Sequence, residues 1–246
     1  MSDGPDVALV VGAGDFIGAA IARRFAAGGF TTVVGRRKVE KLAPLVAEIE
    51  SAGGRAHALA LDAREEGNVQ AAFESIEREL GPLAVVVFNV GANVNFPIRD
   101  TTSRVFRKVW EMACFGGFLT GREAAKVMVP RARGSIFFTG ATASLRGGKG
   151  YAAFASAKSG LRILAQSMAR ELWPENIHVA HLVIDAGVDT AWVREQIQAA
   201  GGDPASLPAD ALMHPAAVAD AYWALHHQPR DAWTFELEIR PYRETW

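Results

Sequence analysis

The amino-acid sequence predicts a doubly wound α/β domain built on a parallel sheet, and three observations carry that prediction. Short β-branched or apolar runs alternate with longer amphipathic stretches up to about residue 180, the pattern of repeated strand–helix–strand units. The run Leu83-Ala84-Val85-Val86-Val87-Phe88 is apolar on both faces, as a central strand covered by helices on either side must be. The first apolar run leads into Gly12-Ala13-Gly14-Asp15-Phe16-Ile17-Gly18 and then into a helical stretch, so a glycine-rich turn joins strand to helix.

Taken in order, strands are expected at Val7–Val11, Thr31–Gly35, Arg55–Ala60, Leu83–Asn89, Ser135–Thr139 and Ile177–Ile184, with helices in the gaps. A last strand is expected near Thr234–Ile239, where Phe235, Leu237 and Ile239 alternate with Glu236 and Glu238. That alternation reads as one apolar and one polar face rather than as a catalytic carboxylate pair. Over 185–214 the texture shifts to Gly, Ala, Asp and Pro around Trp192-Val193-Arg194, which suits a substrate-covering lid. No repeat or low-complexity linker interrupts the chain, so residues 1–246 are expected to form one domain. The closing Arg240–Trp246 stretch reads as an aromatic tail suited to packing on another subunit.

Composition excludes several classes of function. Half the residues are hydrophobic, which argues against disorder, and 26 Lys+Arg against 27 Asp+Glu leave a net charge of −1 with no dense basic run, so no nucleic-acid partner is expected. The longest apolar stretch is the six residues Leu83–Phe88, far short of the ~20 needed to span a membrane. The start carries acid where a signal peptide carries base, and the single cysteine, Cys114, permits no internal disulfide. A cytoplasmic location is the expectation.

Gly12, Gly14 and Gly18 let the backbone turn tightly and approach a pyrophosphate, which the positive end of the following helix, Ala19–Phe25, would hold. The second strand ends in Gly35-Arg36-Arg37, where an acid would favour the ribose hydroxyls of NAD; two guanidiniums suit a 2′-phosphate instead. NADP(H) is therefore expected over NAD(H), with Asp15 in the glycine loop as a charge opposing phosphate.

Together with Asp62, Phe88-Asn89-Val90-Gly91, Lys158 and Asp189-Thr190, the glycine loop and Arg36-Arg37 stand in the order and spacing of the short-chain dehydrogenase/reductase family, which nearly the whole chain resembles. The resemblance implies a seven-stranded parallel Rossmann sheet and a homo-oligomer, tetramer or dimer. By position it places Gly12, Gly14, Phe16, Ile17 and Gly18 along the phosphates and Arg36 and Arg37 at the adenosine ribose. Asp62 and Ala63 fall at the adenine, Asn89 and Gly91 on the adenine-ribose side, Val188 and Thr190 at the nicotinamide carboxamide, and Lys158 at the nicotinamide ribose.

Departures from the family pattern concentrate at the catalytic positions. Where the family has Tyr-x-x-x-Lys, this chain has Phe154-Ala155-Ser156-Ala157-Lys158; the usual serine falls at Ala141 and the usual asparagine at Ala113. Phe16 replaces a loop glycine, and Asp185-Ala186-Gly187 stands where Pro-Gly is common. Tyr151 precedes Lys158 at the Tyr-x6-Lys spacing of enoyl-acyl-carrier-protein reductases, on about the same helix face. Tyr151 or Thr142 is thus the candidate hydroxyl beside Lys158. Asn93, Asn95, Phe154 and Trp192 are candidate substrate contacts, with Arg194 nearby. No metal site is expected: His178 and His181 point to opposite faces of a strand, and His226-His227 diverge on a helix end.

The leading expectation is an NADP(H)-dependent oxidoreductase passing hydride to or from a small or medium organic substrate with an activated C=C, C=N or C=O. The lost tetrad leaves two alternatives open: a catalytically silent dinucleotide- or metabolite-binding sensor or subunit, and a non-redox lyase or isomerase in a remodelled pocket.

Overall fold

The computed structural model describes residues 5–244; Trp246 of the aromatic tail lies outside them. Seven strands form one sheet of order β3-β2-β1-β4-β5-β6-β7, and every neighbouring pair is parallel. They are β1 Val7–Val11, β2 Thr31–Arg36, β3 Arg55–Ala60, β4 Leu83–Phe88, β5 Gly134–Thr139, β6 Ile177–Ile184 and β7 Glu236–Ile239. The connecting helices are α1 Ile17–Ala27, α2 Ala43–Ser51, α3 Glu66–Glu79, α4 Ser103–Trp110, α5 Gly116–Met128, α6 Ala152–Leu172, α7 Ala191–Ala199 and α8 Pro215–His226. A π turn, Glu111–Phe115, joins α4 to α5.

Alternation along the strands builds two cores. In β1, Ala8 and Val10 join Ile21, Phe25, Leu42, Val218 and Tyr222 on one face; Val7, Leu9 and Val11 join Phe73, Ile76, Leu119 and Leu161 on the other. The period of two in side-chain direction makes each central strand apolar throughout. Each fully buried Phe or Leu contributes about 1.5–3 kcal/mol relative to exposure. Among the described residues no helix is long and apolar enough to cross a membrane.

Two places differ from the sequence expectation by more than one residue. The last strand begins at Glu236, because the Thr234 N–H donates to the Gln228 side chain at 2.8 Å and Gln228 Nε2 returns a bond to the Thr234 hydroxyl. Those bonds take Thr234 out of the ladder. Within 185–214 the chain forms a two-turn helix, α7, started by Thr190, whose hydroxyl accepts from the Val193 N–H at 3.1 Å. A parallel bridge between Val188 and Met213 ties the two ends of this segment together.

Candidate active site

The sheet order reverses at β1, between β2 and β4, and the carboxyl ends of β1 and β4 open there into a cleft, as at the switch point of other doubly wound sheets. Gly12 turns the chain out of β1 at φ +85°, and a Cβ there would stand 2.9 Å from the Asn89 carbonyl. Only glycine fits both conditions. Asn89 is pinned by a chain of bonds. Its Nδ2 donates to Gly12 O at 3.2 Å, and its Oδ1 accepts from the Thr139 hydroxyl at 3.1 Å. The buried Tyr222 hydroxyl lies 2.7 Å from that same threonine oxygen. Since the Thr139 proton is engaged with Asn89, Tyr222 is the donor. Tyr222, on α8 beside α1 on the same face of the sheet, thus braces the glycine turn through Thr139 and Asn89.

The cleft has two connected halves that share Gly12, Gly14, Asn89, Val90 and Gly91. The smaller, about 410 Å³, is lined by Arg36, Arg37, Lys38, Asp62, Ala63 and Arg64. The larger, about 830 Å³, is lined by Phe16, Ile17, Gly18, Asn93, Thr142, Tyr151, Phe154, Lys158, Val188, Thr190 and Trp192. Nearly all the residues singled out from the sequence thus meet along one cavity.

The residues of the shared and outer rim fit a dinucleotide. A Cβ added at Gly14 or Gly91 would meet nothing within 4 Å, so both glycines leave open space on the cleft wall. No side chain caps α1, whose N-cap position is Phe16; the Ala19 N–H is taken by Gly14 O at 3.1 Å, which leaves those of Ile17 and Gly18 to meet an anion. Asp15, expected to oppose phosphate, is paired with Arg36 at 3.2 Å. Arg37 and Lys38 make no ion pair among the described residues. Asp62 accepts from Arg64 Nε at 2.9 Å, and that guanidinium holds its carboxyl below the usual carboxylate range.

In the larger half, Lys158 is buried and donates to Thr139 O at 2.8 Å and Val90 O at 3.2 Å. Burial lowers its pKa to about 8, since desolvation disfavours the ammonium. Phe154 stands with its ring 5.9 Å from Nζ. Ala113, Phe154 and Ala157 form a small apolar cluster against which Ala141 and Tyr151 pack. The positions expected from the resemblance to be polar, at Ala113, Ala141 and Phe154, are packing in this chain. Tyr151 is the N-cap residue of α6; it lines the cleft, and its hydroxyl makes no hydrogen bond to another described residue.

Three expectations need correction or refinement. Asn95 lies outside the cleft: its Nδ2 donates to Lys149 O at 3.2 Å, fastening its loop to the turn before α6. Thr142 lines the cleft, but its hydroxyl donates to the buried carboxylate of Asp185, so it can accept from a substrate and has no proton to give. Arg194 is held in a two-point pair with Asp189, at 2.6 and 2.8 Å, rather than aimed into the cleft. Sequence reasoning passed over Arg146, which also lines the larger half. Its partner, Asp185, is 39 residues away, and no local pattern signals such a pairing.

Fold and cleft together define a class: a single-domain protein with a Rossmann-like sheet of the NAD(P)-binding kind. The sequence pattern of short chain dehydrogenases runs through residues 6–200, and the chain belongs to that family, whose members are oxidoreductases that bind NAD(P)(H). It is 59% identical to a short-chain dehydrogenase from Rhodopseudomonas palustris of solved structure, over 96% of this chain and 99% of that one, with a TM-score of 0.83. A metagenomic short-chain oxidoreductase solved in complex with NADP is 25% identical, over 99% of this chain and all of that one, with a TM-score of 0.79. "Uncharacterized oxidoreductase YuxG" of Bacillus subtilis (strain 168) is 32% identical over 210 residues, or 82% of this chain. The match covers 30% of that relative's own length.

Proposed function

We propose that this chain is an NADP(H)-dependent oxidoreductase that passes hydride between the cofactor and a small or medium substrate with an activated C=C, C=N or C=O. The observation that carries the reading is the single cavity that holds the glycine turn, the buried Lys158 and the Tyr151 hydroxyl together. Arg37 and Lys38 supply unpaired positive charge where a 2′-phosphate would lie. Bound there, the nicotinamide supplies or accepts the hydride. Lys158 holds the ribose side with an ammonium that burial keeps easy to deprotonate near pH 8. Tyr151 offers its hydroxyl to the substrate's reacting end, and Trp192 closes the outer wall. A substrate that needs no strong protein acid suits a site with phenylalanine at position 154.

A second reading has its own support: the apolar cluster of Ala113, Phe154 and Ala157 favours a cofactor-binding sensor or subunit without turnover. One experiment separates the two. NADPH and NADH binding is followed by fluorescence, and hydride transfer is assayed across ketones, enones, imines and nitroalkenes, with Tyr151→Phe and Lys158→Ala alongside. Turnover that both variants lose supports the enzyme. Tight NADPH binding without turnover on any acceptor supports the silent binder, and no binding of either nucleotide sinks both.

A further inference from the structure

One departure from the family pattern, Asp185, is wired to three residues distant from it in sequence, Thr142, Arg146 and Arg240. Asp185, at the end of β6, is 2% exposed. It accepts the Thr142 hydroxyl, an Arg240 N–H at 3.1 Å and the Arg146 guanidinium at 3.4 and 3.5 Å. A buried carboxylate is unfavourable unless donors surround it, and an idle pocket has no reason to assemble one. Arg146 reaches Asp185 through a single nitrogen at long range, and its remaining N–H groups make no hydrogen bond to another described residue. Its side chain is 51% exposed while that of Asp185 is 3% exposed, so Asp185 orients the arginine from beneath.

The backbone beneath Arg146 is held as well. Its N–H donates to Thr142 O at 3.1 Å, and the Ser144 hydroxyl accepts from the Ala141 N–H at 3.1 Å. The Ser159 hydroxyl fastens the same turn to α6 at 3.3 Å. Among the residues that line the larger half of the cleft, the charged ones are Lys158 and Arg146, and no carboxylate joins them. Lys158 is spent on two backbone carbonyls. The remaining wall is apolar and aromatic, with Phe16, Ile17, Tyr151, Phe154, Val188 and Trp192 prominent.

We infer that Arg146 is a specificity-determining residue that anchors the carboxylate of an otherwise apolar or aromatic substrate. A planar guanidinium matches a carboxylate in two-point contact, and the surrounding apolar wall strengthens the attraction. Arg240, which it shares with Glu238, and the Thr142 hydroxyl also face the Asp185 carboxylate, and Asp185 lies buried beneath Arg146 rather than in the cleft. This assignment rests on reading the cleft as the cofactor and substrate site proposed above.

The test uses matched probes on the whole protein with NADP+ present. Phenylacetate, 3-phenylpropionate and 4-phenylbutyrate are each compared with the corresponding amide by calorimetry. At least one acid is expected to bind about tenfold to hundredfold more tightly than its amide. Arg146→Met removes the difference while leaving amide affinity unchanged, and Arg146→Lys keeps part of it; thermal melts verify that both variants fold. The inference is overturned if no acid in the series outbinds its amide, or if the preference survives in Arg146→Met. An acid preference that depends on Arg146, found in a protein that transfers no hydride, would support the anchor and defeat the oxidoreductase reading, so the two fail separately.

Discussion

The two halves of the cleft have departed from the family pattern by different amounts, and the contrast separates what the backbone dictates from what chemistry selects. Where the halves meet, Gly12 and Asn89 are held by close backbone contacts, and their identities follow from geometry that any bound dinucleotide would need. At the inner half the fold is equally regular, yet Ala113, Ala141 and Phe154, at positions the sequence resemblance leads one to expect polar, pack as an apolar cluster beside a buried Asp185 network. A fold constrains the first kind of position tightly and the second kind hardly at all.

Lys158 is where the largest effect is expected, because it is the buried charged group that the proposed reading sets at the nicotinamide ribose. Lys158→Met should lower turnover by ~10²–10⁴-fold. Stability should hold or rise, since the substitution removes a charge that burial disfavours. Steady-state kinetics and urea denaturation measured side by side check this. A loss of stability above ~1 kcal/mol with turnover intact would make the lysine a structural tie between Val90 and Thr139, and the contrast between the halves would lose its catalytic meaning.

The contrast extends to acid stability. His178 and His181 on β6 are buried and His226 at the end of α8 is half-buried, and burial is the first cause of their lowered pKa values, to about 4 for His181 and for His226. His57 on β3 is exposed. Between pH 6.5 and about 4 the unfolded chain binds protons that the folded chain refuses, so stability rises with pH across that window and is lost as pH falls through it. The loss should be on the order of a few kcal/mol in total. Hydrogen exchange at pH 5 should show β6 and β7 opening before β2 and β3; uniform opening would mean that the histidines do not set the weak end.

Local signals made most of the fold legible. Strands announce themselves by apolar runs and glycine turns, and six of the seven expected strands match the observed ones to within one residue at each end. Thr234 escaped because its backbone is captured by a side chain six residues earlier, a competition that propensity does not register. Helix α7 escaped for a similar reason: its Gly- and Pro-rich surroundings masked the Thr190 cap that starts it. In the site, residues of the glycine turn and those following β4 were legible because each sits in a local pattern. The link from Asp185 to Arg146 and Arg240 was not, since it joins three segments distant in sequence. Asp185 stood out as a departure, and its meaning came only with its neighbours.

Glycine positions sharpen the comparison at the outer half. Gly12→Ala places a Cβ at φ +85° and 2.9 Å from Asn89, and about 1–3 kcal/mol of stability should be lost. Gly14→Ala meets nothing, so its urea midpoint should stay within error while NADPH affinity falls, because the added methyl enters the cleft. Equal destabilisation by both would mean that the loop is not shaped by the Asn89 contact.

The smallest expected effect concerns the choice of nucleotide, and there neighbouring arginines are predicted to differ. Arg36 is already engaged by Asp15, whereas Arg37 faces the outer half with no hydrogen bond or ion pair among the described residues, only the longer-range field of Asp62. Arg37→Ser should weaken NADPH binding about tenfold and leave NADH nearly unchanged, the difference expected for one charge-assisted contact to a 2′-phosphate. Arg36→Ser should act less, through the Asp15 carboxylate that it releases toward the same space. Fluorescence titration of both variants with both nucleotides resolves the order. If Arg36 proves the more important, Asp15 must turn away when the nucleotide binds, and the outer half would then be assembled by its ligand rather than ready for it.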